Sequence, residues 1–441
     1  MAATNGGFLI TPRSRVFWGD VNLTSYDKFG GAPIVYDVEV TLQGEAQGPT
    51  ASFNWDPTGP GFAEYEAFLS NPKYLQGKIS IEYFYPGGKR IAMFFRWAGQ
   101  TINYGNDMTV KVKLQSELAG LVNANQRSTA QAYDDKGGKN LVGVYNRLTK
   151  QYGLEGQKKI LTFNKLAKEQ SKDVEISTSY GASQTYGSAI ANAAKQAGHT
   201  AYANAVGFSG IIIFPPYSAK DSQSEEVMDG AARSAGSLPD PAVRYGYLLG
   251  PGIIDNVTRD YTWKPPQQSN SNVPSTQQFA ALPRDEKVDG KSTDAEKDES
   301  KAAAKKTSSP LGVSGGRANP GVRFAKNPKG PARQNALNEE KTATLSFSTM
   351  MVPVLTGIKP HDIVFIPSLK GEYIEDWIVN SVSYKTSNGK VEVSVQATRI
   401  FGAQEAMNNK MAKKFLGIAK NRKLVGQGAT LEAWDDYAWR I

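Results

Sequence analysis

Apolar and polar residues alternate one for one in runs near both ends of this chain, and the alternation gives way to a helical period in between. A repeat of two places successive side chains on opposite faces of an extended backbone, so each run describes a strand with one buried and one wet face. In the first such run Ile34, Tyr36, Val38, Val40 and Leu42 alternate with Asp37, Glu39, Thr41 and Gln43. The pattern returns at Ile79, Ile81, Tyr83 and Tyr85, at Met108, Val110, Val112 and Leu114, and near the other end at Val391, Val393, Val395 and Ala397. Pro86-Gly87-Gly88-Lys89, Gly105-Asn106-Asp107 and Asn388-Gly389 separate pairs of runs and carry the chemistry of hairpin turns. Short strands so spaced predict a barrel or sandwich at each end of the chain. A brief helical stretch between Phe62 and Leu69 is expected to plug one side of the first.

Residues 1–122 therefore form a first β segment and 341–402 a second. Between them, over 138–262, the period changes. Leu141, Val144, Tyr145, Leu148 and Tyr152 recur at helical spacing before Gly153. Ser183 or Thr185 is placed to cap a second helix, with Tyr186, Ala189, Ile190, Ala193 and Ala197 on its inner face and Gly198 at its end. With the apolar run from Gly210 to Phe214 added, this segment reads as α+β. From 264 to 333 all periodicity is lost. Acids and bases mix evenly, and then Gly, Pro, Ser and cations dominate, a composition that buries too little apolar surface to offset the entropy of ordering. This stretch is expected to be a linker, or an arm that orders on a partner. The fold class expected is mainly β with an α+β insert: two antiparallel barrels, the inserted domain and a long linker.

Residues 403–441 form a tail in which Lys410, Lys413, Lys414, Lys420, Arg422 and Lys423 make a cationic run ending in Trp434, Tyr437 and Trp439. Aromatic residues beside cations, without a strand to pack on, are the composition of interface anchors, so these three are the candidate partner-binding residues.

Few kinds of chemistry survive inspection. The chain has no cysteine and only two histidines among 441 residues, which removes thiolate catalysis, disulfides and a histidine–cysteine zinc site. Gly290-Lys291-Ser292-Thr293 resembles the end of a phosphate loop, but Asp285 stands where its first glycine belongs, and no strand or helix frames it. Gly207-Phe208-Ser209-Gly210 and Gly312-Val313-Ser314-Gly315 lack the spacing of a nucleophile elbow. His199 follows a helix-ending glycine, and His361 precedes Asp362 in a strand-entry turn without a serine or cysteine partner. No catalytic residue, metal or cofactor is expected. The formal charge of +9 lies largely in the linker and tail. Two further readings stay open at this point: a cell-wall hydrolase using a carboxylate pair, and a nucleic-acid-binding barrel, although Tyr36, Phe53, Trp55 and Tyr83 fall on faces expected to pack inward. The N-terminus lacks the pattern of a signal peptide, and no window is apolar enough to span a membrane, so a cytoplasmic site of synthesis is expected.

The order of these parts resembles the hub proteins of contractile phage tails, a family that includes late control proteins and the hub portion of type VI secretion spikes. The resemblance rests on Phe95-Arg96-Trp97-Ala98-Gly99-Gln100-Thr101-Ile102 and the strand from Met108 to Ser116. It rests also on the helix of residues 139–154, on the later helix closing in Ala197-Gly198, and on the strand entry Ile358-Lys359-Pro360-His361-Asp362-Ile363-Val364. His361 occupies the place where that family often has glycine. The resemblance implies two tail-tube-like barrels per chain and a homotrimeric ring of six similar units. It also implies a place in the virion baseplate, assembled in the host cytoplasm. The implied partners are the tail spike protein, the tail tube or distal tube protein and the baseplate wedge proteins, with DNA passing only in transit and no membrane insertion.

Overall fold

The computed structural model describes residues 12–44, 48–58, 61–104, 108–119, 141–151, 161–171, 185–215, 227–234, 236–249, 254–263, 341–351, 353–367, 374–387 and 389–400. The linker of 264–333, Gly290 to Thr293, and the tail with Trp434, Tyr437 and Trp439 lie outside them. The described residues are mainly β, as the alternation predicts.

The first segment contains β1 (Arg13–Trp18), β2 (Val21–Asn22), β3 (Val35–Gln43), β4 (Thr50–Trp55), β5 (Ile79–Phe84), β6 (Arg90–Asn103) and β7 (Thr109–Ser116). Helices α1 (Gly61–Ser70) and α2 (Pro72–Leu75) lie between β4 and β5. Helix α1 covers one end of the sheet, where Tyr65 and Phe68 bury against Trp55 with ring centroids 5.1 and 5.6 Å away. Both buried indoles keep a partner: Trp55 Nε1 donates to Gly61 O at 2.8 Å and Trp18 Nε1 to Tyr74 O at 2.6 Å. The plug is therefore present where the sequence placed it.

The middle segment supplies α3 (Leu141–Gln151), β8 (Leu161–Phe163), α4 (Lys165–Gln170), α5 (Tyr186–Gln196), β9 (Thr200–Asn204), β10 (Gly210–Phe214), β11 (Met228–Asp229) and β12 (Tyr245–Leu248). Strand β10 pairs in parallel with β8 and antiparallel with β9, and α3 and α5 pack their apolar faces on this small sheet. Thr185 caps α5, its hydroxyl accepting from Ser188 N at 3.3 Å. The helix ends in a left-handed Gly198 at φ 76°, with Gly198 N bonded to Lys195 O and His199 N to Ala194 O, the paired bonds of a Schellman motif.

The second β unit comprises β13 (Asp255–Trp263), β14 (Lys341–Met350), β15 (Ile363–Pro367), β16 (Ile374–Ser387) and β17 (Lys390–Ile400). Strand β13, which falls at the end of the 138–262 segment, is hydrogen-bonded to β14 from Asp255↔Ser348 to Trp263↔Lys341.

Five strands of the first unit recur in the second with the same connectivity. The pairing order is β3-β4-β7-β6-β5 in one and β13-β14-β17-β16-β15 in the other. The irregularities recur as well. In β3 the register steps from Tyr36↔Asn54 to Glu39↔Ser52 around Asp37 at φ 49°; in β13 it steps from Asp255↔Ser348 to Thr258↔Ser346 around Asn256 at φ 49°. In β6 it steps from Trp97↔Leu114 to Gly99↔Lys113, and in β16 from Val379↔Ala397 to Ser381↔Gln396. Following the ladders across, Ser52↔Lys113 corresponds to Ser346↔Gln396, so all bulges fall at equivalent residues. Bulges are specific local devices, and two matching pairs in matching registers define an internal repeat that the residues themselves do not display.

The β3 bulge also corrects one sequence expectation. Strict alternation places Tyr36 inward with Val38, but the extra residue at Asp37 shifts the phase, leaving Val35 and Val38 buried and Tyr36 42% exposed. Phe53, Trp55 and Tyr83 are buried as expected.

The two units are joined edge to edge. Strand β16 has β17 along one side, while its other side is shared: β15 covers Ile374–Ile378 and β3 of the first unit covers Ser381–Lys385. One fourteen-stranded sheet results, and among the described residues no ladder closes either unit on itself. At the end of the β3–β16 ladder Gly44 N donates to Asn380 O at 2.6 Å, and a Cβ on Gly44 would stand 2.8 Å from that same carbonyl. Gly44→Ala is accordingly expected to lower stability by about 1–3 kcal/mol, because the obstacle is backbone and cannot step aside. Urea unfolding of the variant beside the parent protein measures this.

Candidate functional site

The most concentrated chemistry among the described residues lies where the two β units and the insert meet. Lys359-Pro360-His361-Asp362 forms a turn closed by Asp362 N to Lys359 O at 3.2 Å, with proline second and a left-handed residue third, His361 at φ 68°. That is the pattern of a type II turn, whose third position favours glycine. The proline sets the bend, and the apolar run from Ile363 onward becomes β15.

The turn carries a buried ion pair. Lys359 Nζ lies 2.7 Å from Asp362 Oδ1, and both side chains are 0% exposed. Asp362 also accepts from Lys359 N and from Tyr245 N, each at 3.0 Å, while Lys359 Nζ donates to Val243 O at 2.7 Å. Burial draws the Lys359 ammonium down and pushes the Asp362 carboxyl up, each opposed by attraction to its partner. Arg244, also buried, donates to His361 O at 3.2 Å and to Pro215 O.

His361 itself reaches the first unit. Its Nε2 is 2.9 Å from Gly44 O, and since a carbonyl only accepts, that nitrogen carries the proton. The ring stacks on Phe214 at 4.7 Å and 16°, while His361 N donates to Val379 O at 2.8 Å. Burial pushes its pKa down to about 3, with the Arg244 charge adding to the fall, so the ring is neutral near pH 7. One turn thus ties Gly44 of the first unit, Phe214 and Val243–Tyr245 of the insert and Val379 of the second unit.

A second buried charge cluster distinguishes the two units. Glu375 lies 3.7 Å from Arg259 Nε and 3.4 Å from Arg399 Nη1, and Arg399 Nε is 3.6 Å from Asp376. Trp377 Nε1 donates to Glu375 at 3.2 Å. Carried across the repeat by the strand ladders, Glu375, Arg259 and Arg399 correspond to Met93, Val40 and Ser116, which are buried without a charge among them. The equivalent positions thus carry an ionic cluster in one unit and no charge in the other.

His199 is buried behind its helix end, and burial pushes its pKa down to about 4, opposed only weakly by the nearby Ala167 backbone carbonyl. Among the described residues no group of three His, Asp or Glu side chains is placed to hold a metal ion. No helix there is long and apolar enough to cross a membrane. Trp434, Tyr437 and Trp439 fall outside the described residues. Sequence reasoning noticed the strand-entry turn but not the Lys359–Asp362–Arg244 cluster, because Arg244 lies over a hundred residues from the turn it supports.

No protein-family model matches the sequence, and no curated protein matches it. Solved structures similar to it include the 43 kDa tail protein of prophage MuSo2 from Shewanella oneidensis, with a TM-score of 0.47 at 10% identity, covering 88% of this chain and 98% of that one. A tail protein from Neisseria meningitidis MC58 gives 0.44 at 9% identity, covering 88% and 96%. Prophage tail protein gp18 from Listeria monocytogenes EGD-e gives 0.39 at 11% identity, covering 91% and 98%.

Proposed function

We propose that this chain is a structural, non-enzymatic hub of a phage-type tail, forming a homotrimeric ring at the baseplate. The observation that carries the reading is the internal repeat: two five-strand units with the same connectivity and the same two bulges, joined edge to edge. Three such chains present six similar units, a surface suited to a six-fold tail tube on one side and a three-fold spike on the other. DNA would pass through such a ring in transit. The turn of Lys359–Asp362 serves this role by tying the two units and the insert together, through His361 to Gly44 and through Asp362 to Tyr245. The organisation into 1–122, 138–262 and 341–402, with a linker of 264–333, fits this use, with β13 belonging to the second unit. The tail of 403–441, through Trp434, Tyr437 and Trp439, docks on the spike or a neighbouring subunit, and wedge proteins meet the outer face.

The test is the mass of the purified protein in solution at rising concentration, together with its copy number in assembled tails. Three chain masses are expected. A single copy per assembled tail overturns the proposal.

A further inference from the structure

We infer that the chain carries its own intersubunit contact in a defined register: β6 of one copy pairs with β13 of the next, repeating between chains the ladder that β16 and β3 make within one. This rests on the ring proposed above and names the strands that close it.

The argument is one of equivalence. In the repeat β16 corresponds to β6 and β3 to β13. Strand β16 has its upper half, Ser381–Lys385, covered by β3. Strand β6 is built alike. Its lower half is paired with β5 as far as Phe95, its other side with β7, and among the described residues nothing pairs with the β5 side of Arg96–Asn103. Strand β13 pairs with β14 alone among the described strands. Among the described residues two long strand edges, one from each unit, therefore lack a strand partner. They are the counterparts of the two edges already joined inside the chain.

Open edges of this length are normally blunted or covered, and a partner strand satisfies their backbone groups. A contact between two different edges is heterologous, so it runs head to tail and closes into a ring when the rotation permits.

The internal ladder fixes the register. Ser381↔Gln43, Val382↔Leu42, Ser383↔Thr41, Tyr384↔Val40 and Lys385↔Glu39 translate to Gly99↔Thr262, Gln100↔Tyr261, Thr101↔Asp260, Ile102↔Arg259 and Asn103↔Thr258. Trp263 stands where Gly44 lies against the bulge carbonyl, so the equivalence ends at Thr262. At the opposite end, one step beyond Asn103↔Thr258, Tyr104 meets Val257. These are 78% and 38% exposed, two of the five exposed large apolar side chains among the described residues. The register was derived without reference to them, yet it buries both in one contact.

The absence of native cysteine gives a clean test. Residues directly opposite in an antiparallel ladder have Cα atoms about 4.5–5.5 Å apart, within disulfide reach. Thr101→Cys with Asp260→Cys, and Gln100→Cys with Tyr261→Cys, sample the two kinds of ladder position. Asn103→Cys with Thr262→Cys, about 13 Å out of register, is the control. The full-length variants, with unfolding midpoints matched to the parent when reduced, are oxidised and run without reductant beside a native mass measurement. At least one matched pair is expected to link copies into dimers and trimers, the control pair and the single-cysteine variants remaining monomeric on the gel. A trimer by native mass that neither matched pair links, or that the control links equally well, overturns this ladder and leaves the hub proposal standing. A disulfide within one chain overturns it too. A protein that stays monomeric at every concentration removes both the ring and the ladder.

Discussion

Asp362→Ala is expected to destabilise the protein by about 3–5 kcal/mol, a large part of the 5–15 kcal/mol that holds a typical domain together. The loss comes from what is left behind. Lys359 is 0% exposed, and without the carboxylate its ammonium keeps the Val243 carbonyl as hydrogen-bond acceptor and the faces of Phe214 and Tyr245, while the main-chain N–H groups of Lys359 and Tyr245 lose their acceptor. Unpartnered buried donors cost far more than the intact pair contributes. Replacing both charges, as Lys359→Met with Asp362→Leu, is expected to recover a substantial share of the loss, leaving the cost of the orphaned amides. Urea unfolding of the two single variants and the double variant completes the cycle. If Asp362→Ala and the double variant were equally unstable, the stranded ammonium would not be the source of the loss. An unchanged single variant would remove the joint from the account of how the units are held.

The strands were legible because each unit has one wet face. Val110, Val112 and Leu114, and Val391, Val393 and Val395, alternate cleanly and are buried as read. Helix α5 was legible from its cap, its apolar face and its terminal glycine. Hidden were the features that depend on pairing between distant residues. The alternation at Tyr36 runs straight through the Asp37 bulge, since a bulge changes phase through backbone conformation and leaves no fixed residue mark. Strand β13 falls within the 138–262 segment of the sequence because its partner β14 begins 78 residues after Trp263, at Lys341. The repeat was invisible residue by residue because equivalent positions hold different chemistry, Met93 against Glu375 and Val40 against Arg259; only the ladders align them. His361 was noticed as standing in for glycine, and its φ of 68° gives the reason. Its stacking on Phe214 and its bond to Gly44 give the compensation.

Mild acid is expected to weaken the fold through the same histidine and its counterpart in the insert. An unfolded histidine titrates near 6.5, whereas burial holds His199 at about 4 and His361 at about 3. Both folded values lie below the unfolded one, so the unfolded chain takes up protons that the native protein refuses. Stability is then fully present above about pH 6.5 and falls as the pH drops, by about 1.4 kcal/mol per pH unit for each ring until its folded pKa is reached. Between pH 7 and 5 the two together account for about 4 kcal/mol, comparable with the whole stability of a marginal domain. For His361 the cost is sharpened by its surroundings, since Arg244 and Lys359 are already cationic and a third charge would have no acceptor beyond Gly44 O. Urea unfolding at pH 7 and pH 5 measures the loss, and the variant carrying His199→Gln and His361→Asn isolates its source. Asparagine tolerates the left-handed conformation at position 361, so the variant is expected to be weaker at pH 7 yet to lose much less on acidification. Equal losses in parent and variant would assign the acid sensitivity to carboxylates instead, and would mean that neither ring is held neutral by its burial.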